Sequence, residues 1–172
     1  GMSGLPPQVV EQARARTEDF LNNKPVHRET LRTALSIASE HGDEALFERV
    51  LKAFFATDDI RRRGPLRNAL GRFRFPGIVK RLFALLDHEG LRTNERGSIL
   101  WAVAGDYRTR IEAWKAVQPL FPKLKKILPN RGMRYLPYYP GAQCRAGLEN
   151  ELTKVFEPWL EQVEGLQRHL TM

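Results

Sequence analysis

The sequence predicts an all-α fold, and three observations carry that prediction. Apolar residues recur at spacings of three and four, no window alternates convincingly with period two, and the interruptions fall at residues that start or stop helices. The first clear stripe is Leu46, Phe47, Val50, Leu51, Phe54 and Phe55, with Glu44, Glu48, Arg49 and Lys52 on the other side. Such a division is what an amphipathic helix needs, because positions three and four apart share a face. Gly42-Asp43 marks its start, since an aspartate before a helix accepts hydrogen bonds from first-turn N–H groups. Asp58-Asp59 and Gly71 are the next start and stop. A second stripe, Ile78, Val79, Leu82, Phe83 and Leu86, is predicted to open at Pro76, where a first-turn proline costs no hydrogen bond. Further stripes run Ile99 to Val103, Ile111 to Val117, and through Leu148, Leu152, Val155, Phe156, Trp159 and Leu160. Gly90 with Thr93, Gly105-Asp106 and the stretch from Pro129 to Gly141 separate them, and Val163, Leu166 and Leu170 predict that the last helix continues. Trp101, Trp114 and Trp159 fall on apolar stripes and are expected in the core.

Shifting the chain by 32 residues superposes Leu46 on Ile78, Phe47 on Val79, Val50 on Leu82, Leu51 on Phe83 and Phe54 on Leu86. A further shift puts Val79 on Ile111 and Leu82 on Trp114. A period of this size, two short helices to each period, predicts a HEAT-like αα-superhelix, a short solenoid in which each hairpin buries its face on the next. The 172 residues suit one such domain, 1–172. Gly1 ahead of Met2 reads as a residue left by tag removal.

The composition, 42% hydrophobic and 28% charged, is that of a globular chain rather than a disordered one. The longest uninterrupted apolar run, Ile99 to Ala104, falls far short of the roughly 18 residues a membrane span needs. A single cysteine, Cys144, excludes an internal disulfide and any zinc site built on several thiolates. Net charge is +8, and its distribution is uneven. Eight basic residues and no acid lie between Ile60 and Leu86, and seven and none between Ala113 and Leu148. Residues 1–59 carry ten acids against seven bases, and residues 149–172 five against two. Acid-free stretches are either solvated helix faces, the commoner case, or a surface for phosphate, an acidic peptide or another acidic partner; against the first, ordinary exposed helices mix signs to gain pairing four residues apart.

Motifs for chemistry are few. None of His27, His41, His88 and His169 has a second histidine four residues on, and His88-Glu89-Gly90-Leu91-Arg92 places arginine where a helical zinc pair needs its second ligand. There is no GxSxG elbow, no glycine-rich phosphate loop and no CxxC. No catalytic residue, metal ligand or cofactor-binding residue is assigned. Tyr135, Tyr138 and Tyr139 lie beside prolines in the second basic stretch, where they either stack a ligand or cover the end of the core.

The chain resembles the C-terminal HEAT-like domain of the aminopeptidase N type zinc aminopeptidases, a group that includes the endoplasmic-reticulum aminopeptidases. Gly42-Asp43 entering the Leu46 to Phe55 helix, Asp58-Asp59-Ile60-Arg61-Arg62-Arg63, and Asn68-Ala69-Leu70-Gly71 carry the likeness. Leu91-Arg92-Thr93-Asn94-Glu95 resembles the family's Ile-Arg-x-Gln-Asp turn, Arg110-Ile111-Glu112-Ala113-Trp114 resembles its Arg-x-x-Ala-Trp helix, and Cys144 followed by Glu149 to Phe156 is similar to its penultimate helix. Asn94-Glu95 in place of Gln-Asp, and Arg74-Phe75-Pro76 without a preceding acid, depart from the pattern. The resemblance spans residues 28–172 and implies a non-catalytic domain that encloses the peptide chamber and helps bind the peptide substrate. Its partner would be an upstream catalytic domain of the same polypeptide, and the zinc, with its HExxH helix and GxMEN loop, would belong to that domain. Cations facing such a chamber would attract a peptide carboxylate, and Arg67, Arg72, Arg74 and Arg134 are the candidates. Arg110 and Trp114 are assigned to packing. The alternative is a self-standing module binding nucleic acid or an acidic partner through its basic face.

Overall fold

The computed structural model describes residues 4–128, 130–140 and 146–170; every element among them is helical, with no strand. The chain divides into two compact units, Gly1–Ile78 and Val79–Met172.

The first unit contains α1 (Pro7–Leu21), α2 (Arg28–Glu40), α3 (Glu44–Phe55) and α4 (Ile60–Leu70). α1 packs on α2, α3 on α4, and α2 on α4, the pairing expected of two stacked helical hairpins. Small residues bring the first pair together, for Ala13, Ala34 and Ala38 form a buried cluster against which Ile37 and Leu46 pack. The α3 stripe is buried as the periodicity predicts, with Phe47, Val50 and Phe54 inaccessible. Phe47 meets Phe73 and Phe75 edge to face, ring centroids 5.3 and 5.6 Å apart. Each pair of this kind contributes about 0.5–1.5 kcal/mol beyond the area it buries. Both predicted caps form: the Asp43 carboxylate accepts from the Leu46 N–H at 2.9 Å and the Asp59 carboxylate from the Arg61 N–H at 2.9 Å. Pro65 lies inside α4, where it withdraws the N–H that would otherwise bond the Arg61 carbonyl.

The second unit contains α5 (Ile78–Ala84), whose first residue closes the first unit, then α6 (Thr93–Ala104), α7 (Arg110–Val117), α8 (Phe121–Ile127), α9 (Asn130–Arg134) and α10 (Leu148–Phe156), with single 3₁₀ turns between and after them. Helix starts at Arg28, Ile60 and Thr93 are spaced by 32 and 33 residues, and those at Ile78 and Arg110 by 32. The core is aromatic. Trp114 lies 6.1 Å from Phe156, Phe121 stacks on Phe156 at 5.2 Å, and Trp159 meets Phe121 edge to face. α6 begins at the departure from the family turn: the buried Glu95 carboxylate accepts from the Arg92 N–H at 2.9 Å, so glutamate serves there as a first-turn acceptor.

Three expectations are corrected. Pro76 does not open α5. Phe75-Pro76-Gly77-Ile78 is a β-turn closed by the Ile78 N–H on the Phe75 carbonyl, with Gly77 at φ +83°, the conformation the third position of a type II turn requires. The last helix ends at Phe156, because Pro158 has no N–H to continue the ladder, and Gly165 adopts φ +78°. Val163 and Leu166 are buried nevertheless, so the period there reports packing and not a helix. Trp101 is 39% exposed: its ring lies 5.5 Å from that of Tyr139, and the rest faces solvent. Cys144, Arg145 and the Arg131 side chain lie outside the described residues.

Candidate functional site

Of the four predicted arginines, three belong to the end of α4 and the loop after it, and one to the second unit. Arg67 stands in the last turn of α4, where a cation faces the negative end of the helix dipole, and donates to the Asn68 side chain at 3.1 Å. Arg74 is half-buried and donates to the carbonyls of Gly71 and Phe73 at 2.9 and 2.6 Å, closing the end of the helix. Arg72 is exposed, and its side chain makes no hydrogen bond or ion pair among the described residues. Arg134 ends α9 half-buried, its guanidinium 5.6 Å from the Tyr135 ring. Its Nε is buried without a hydrogen-bond partner among the described residues, and a Cβ at Gly165 would lie 3.6 Å from Nη1. Beside it, the Tyr138 hydroxyl and His169 Nδ1 are hydrogen-bonded at 2.9 Å. Tyr139 faces inward and donates to the Leu100 carbonyl at 2.7 Å, and burial raises its phenol pKa well above the ordinary tyrosine value.

The basic stretches are only partly free surface. Arg63 is buried: it donates to the carbonyls of Phe54 and Thr57 at 3.1 and 3.0 Å, with its guanidinium 4.1 Å from the Phe54 ring. Lys123 pairs with Asp87, and Lys125 bonds Gln162. Arg63 stands four residues after the capping Asp59, one turn into α4, and its side chain reaches back to the end of α3.

A second cationic site was hidden in the sequence. Two clefts of the first unit, about 540 and 400 Å³, share Asn23 and Arg62. Their walls carry Lys24, Arg28, Arg49, Lys52, Arg61 and Arg62, and no aspartate or glutamate lines either. The end of α1 shapes the site. Asn23, at φ +61°, lets the Asn23 N–H reach the Phe20 carbonyl and the Lys24 N–H reach the Asp19 carbonyl, a Schellman cap with asparagine where glycine is usual. Arg62 donates to the Phe20 carbonyl at 3.3 Å with its guanidinium 4.3 Å from the Phe20 ring. Arg49 forms a two-pronged pair with Glu18, both bonds 2.5 Å, which raises the arginine's pKa. Four of the six cations lie in the stretch with more acids than bases, so counting charge along the chain conceals a site assembled from α1, α2, α3 and α4.

Among the described residues no group of three or more His, Cys, Asp and Glu is placed to hold a metal, and no helix is long and apolar enough to cross a membrane. The class is thus an all-α domain bearing cationic clefts and helix ends. A family model, the ERAP1-like C-terminal domain, matches residues 2–171, and the chain belongs to that family. Membership suggests a non-catalytic aminopeptidase C-terminal domain, attached to a catalytic domain. No curated protein matches the chain.

Proposed function

We propose that residues 1–172 form one HEAT-like domain of a zinc aminopeptidase, enclosing the chamber of the catalytic domain and helping to bind the peptide substrate. The observation that carries this reading is the family match across residues 2–171. Helix starts that recur near 32 residues, and the stacking of α2 on α4, support the repeat architecture. The zinc chemistry belongs to the catalytic domain, and this chain contributes surface and charge.

Arg67, Arg72, Arg74 and Arg134 are the proposed contacts to the far end of the peptide, because a guanidinium pairs a carboxylate with two parallel hydrogen bonds. Arg72 has the greatest freedom to do so, and Arg74 the least, since it already serves two carbonyls. The test uses a polypeptide carrying both the catalytic domain and this chain. Arg72→Ala and Arg134→Ala are expected to raise KM for a long peptide about two- to tenfold, the value of one partly exposed charge pair, and to leave cleavage of an aminoacyl anilide unchanged. Equal effects on both substrates would sink the assignment. Stoichiometric zinc, or peptidase activity, in residues 1–172 alone would sink the wider reading.

A further inference from the structure

We propose that the cationic groove between the α1–α2 connection and the start of α4 is a docking surface for an acidic peptide segment. The proposal rests on charge complementarity and stands apart from the reading above, because none of Arg67, Arg72, Arg74 and Arg134 lines the groove. Two of its cations are already neutralised, Arg49 by Glu18 and Lys24 by Asp19. Arg28, Lys52 and Arg61 are exposed, and their side chains make no hydrogen bond or ion pair among the described residues. The nearest carboxylate to Arg61 in sequence, that of Asp59, is engaged as the α4 cap on the Arg61 backbone N–H. Like charges gathered on one cleft repel each other, and an anionic partner turns that repulsion into attraction.

The apolar lining decides which anion fits. Phe20, Val26 and Leu31 also line the groove; Phe20 and Leu31 are buried and Val26 is half-buried, beside the exposed Lys24, Arg28 and Arg61. An extended peptide sends alternate side chains to opposite sides, so an apolar residue can meet Val26 while a neighbouring carboxylate reaches the exposed cations. The exposed amides of Asn22 and Asn23 offer both a donor and an acceptor to a peptide backbone. A single-stranded nucleic acid would need aromatic faces on which its bases can stack. Phe20 is only 5% exposed and the Arg62 guanidinium sits over its ring, so the groove has no such platform there.

The experiment titrates the 172-residue chain into a fluorescein-labelled peptide of about twelve residues that alternates glutamate with valine and alanine, read by anisotropy at low salt. Saturable binding is expected. The same peptide with glutamine for glutamate is expected to bind at least about tenfold more weakly, as is the acidic peptide to Arg28→Glu/Arg61→Glu, because each exposed pair lost becomes a repulsion. Lys154→Glu, exposed on α10 and outside the groove, should bind like the parent chain. The glutamine comparison uses the unaltered protein, so it holds even if the double variant misfolds. Equal affinity for the two peptides overturns the proposal, as does unchanged binding by a folded double variant, or tighter binding of a single-stranded oligonucleotide of equal charge. Failure of this docking would leave the KM test on Arg72 and Arg134 untouched, and the reverse also holds.

Discussion

The indole N–H of Trp114 donates to the Glu151 carboxylate at 2.6 Å, joining α7 to α10 across 37 residues of sequence. Trp114 is otherwise buried against Phe121 and Phe156, so this bond satisfies its one polar atom. Hydrogen bonds to charged groups are worth about 1.5–3 kcal/mol. Glu151→Ala should therefore lower unfolding free energy by about 1–3 kcal/mol, as should the loss of the N–H in Trp114→Phe. In a double-mutant cycle followed by urea unfolding the two losses should not add. Fully additive losses would show that the bond contributes nothing.

Tyr139 makes stability depend on alkaline pH. Burial raises its pKa above the unfolded value of about 10, so its contribution is complete below that pH and declines as pH rises past it. Tyr139→Phe should cost about 1–3 kcal/mol at neutral pH, since the Leu100 carbonyl loses its donor. The variant should also show a shallower fall in melting temperature between neutral pH and pH values above about 10. Parallel curves for the two proteins would remove Tyr139 as the cause.

Arg63 belongs to the core of the first unit. Arg63→Met keeps the bulk but withdraws the donors from two carbonyls, and should destabilise by about 3 kcal/mol in chemical denaturation. Arg61→Met, two residues earlier and exposed, should change stability by less than about 0.5 kcal/mol. A similar cost at both positions would contradict the distinct roles assigned to them.

Two glycines should respond in opposite directions. A Cβ at Gly42 would lie 2.7 Å from a Phe73 ring carbon and 2.8 Å from the Ala38 carbonyl oxygen. Gly42→Ala should cost about 1–3 kcal/mol through overpacking. Gly97, inside α6, has nothing within 4 Å of the same atom, so Gly97→Ala should stabilise by about 0.5–1 kcal/mol through helix propensity. Thermal melts of the two variants would check both signs.

Much of this architecture is legible in the sequence because large apolar residues and capping aspartates advertise it: Asp43, Asp59 and the Phe47, Val50, Phe54 face appear where expected. α1 has no comparable signature, since its buried residues are Ala13, Thr17 and Phe20, and a helix that packs through small side chains leaves little apolar periodicity to read. Ile111 also lies on an apolar stripe but is 54% exposed, because the buried face of α7 is Ala113, Trp114 and Val117. The cationic groove is illegible for a different reason. Lys24 and Arg28 meet Arg61 and Arg62 only once α1 and α2 have turned back on each other and α4 has packed on α2, and no linear count of charge records that meeting.

The aromatic core of the second unit has an optical consequence. All three tryptophans of the chain, Trp101, Trp114 and Trp159, fall within Val79–Met172, and Gly1–Ile78 contains none. Intrinsic tryptophan emission is therefore a natural reporter on one unit, while far-ultraviolet dichroism reads the helices of both. Matching midpoints from the two signals would mean that the units melt as a single cooperative block. Separated midpoints would rank them, with the emission curve naming which half gives way first.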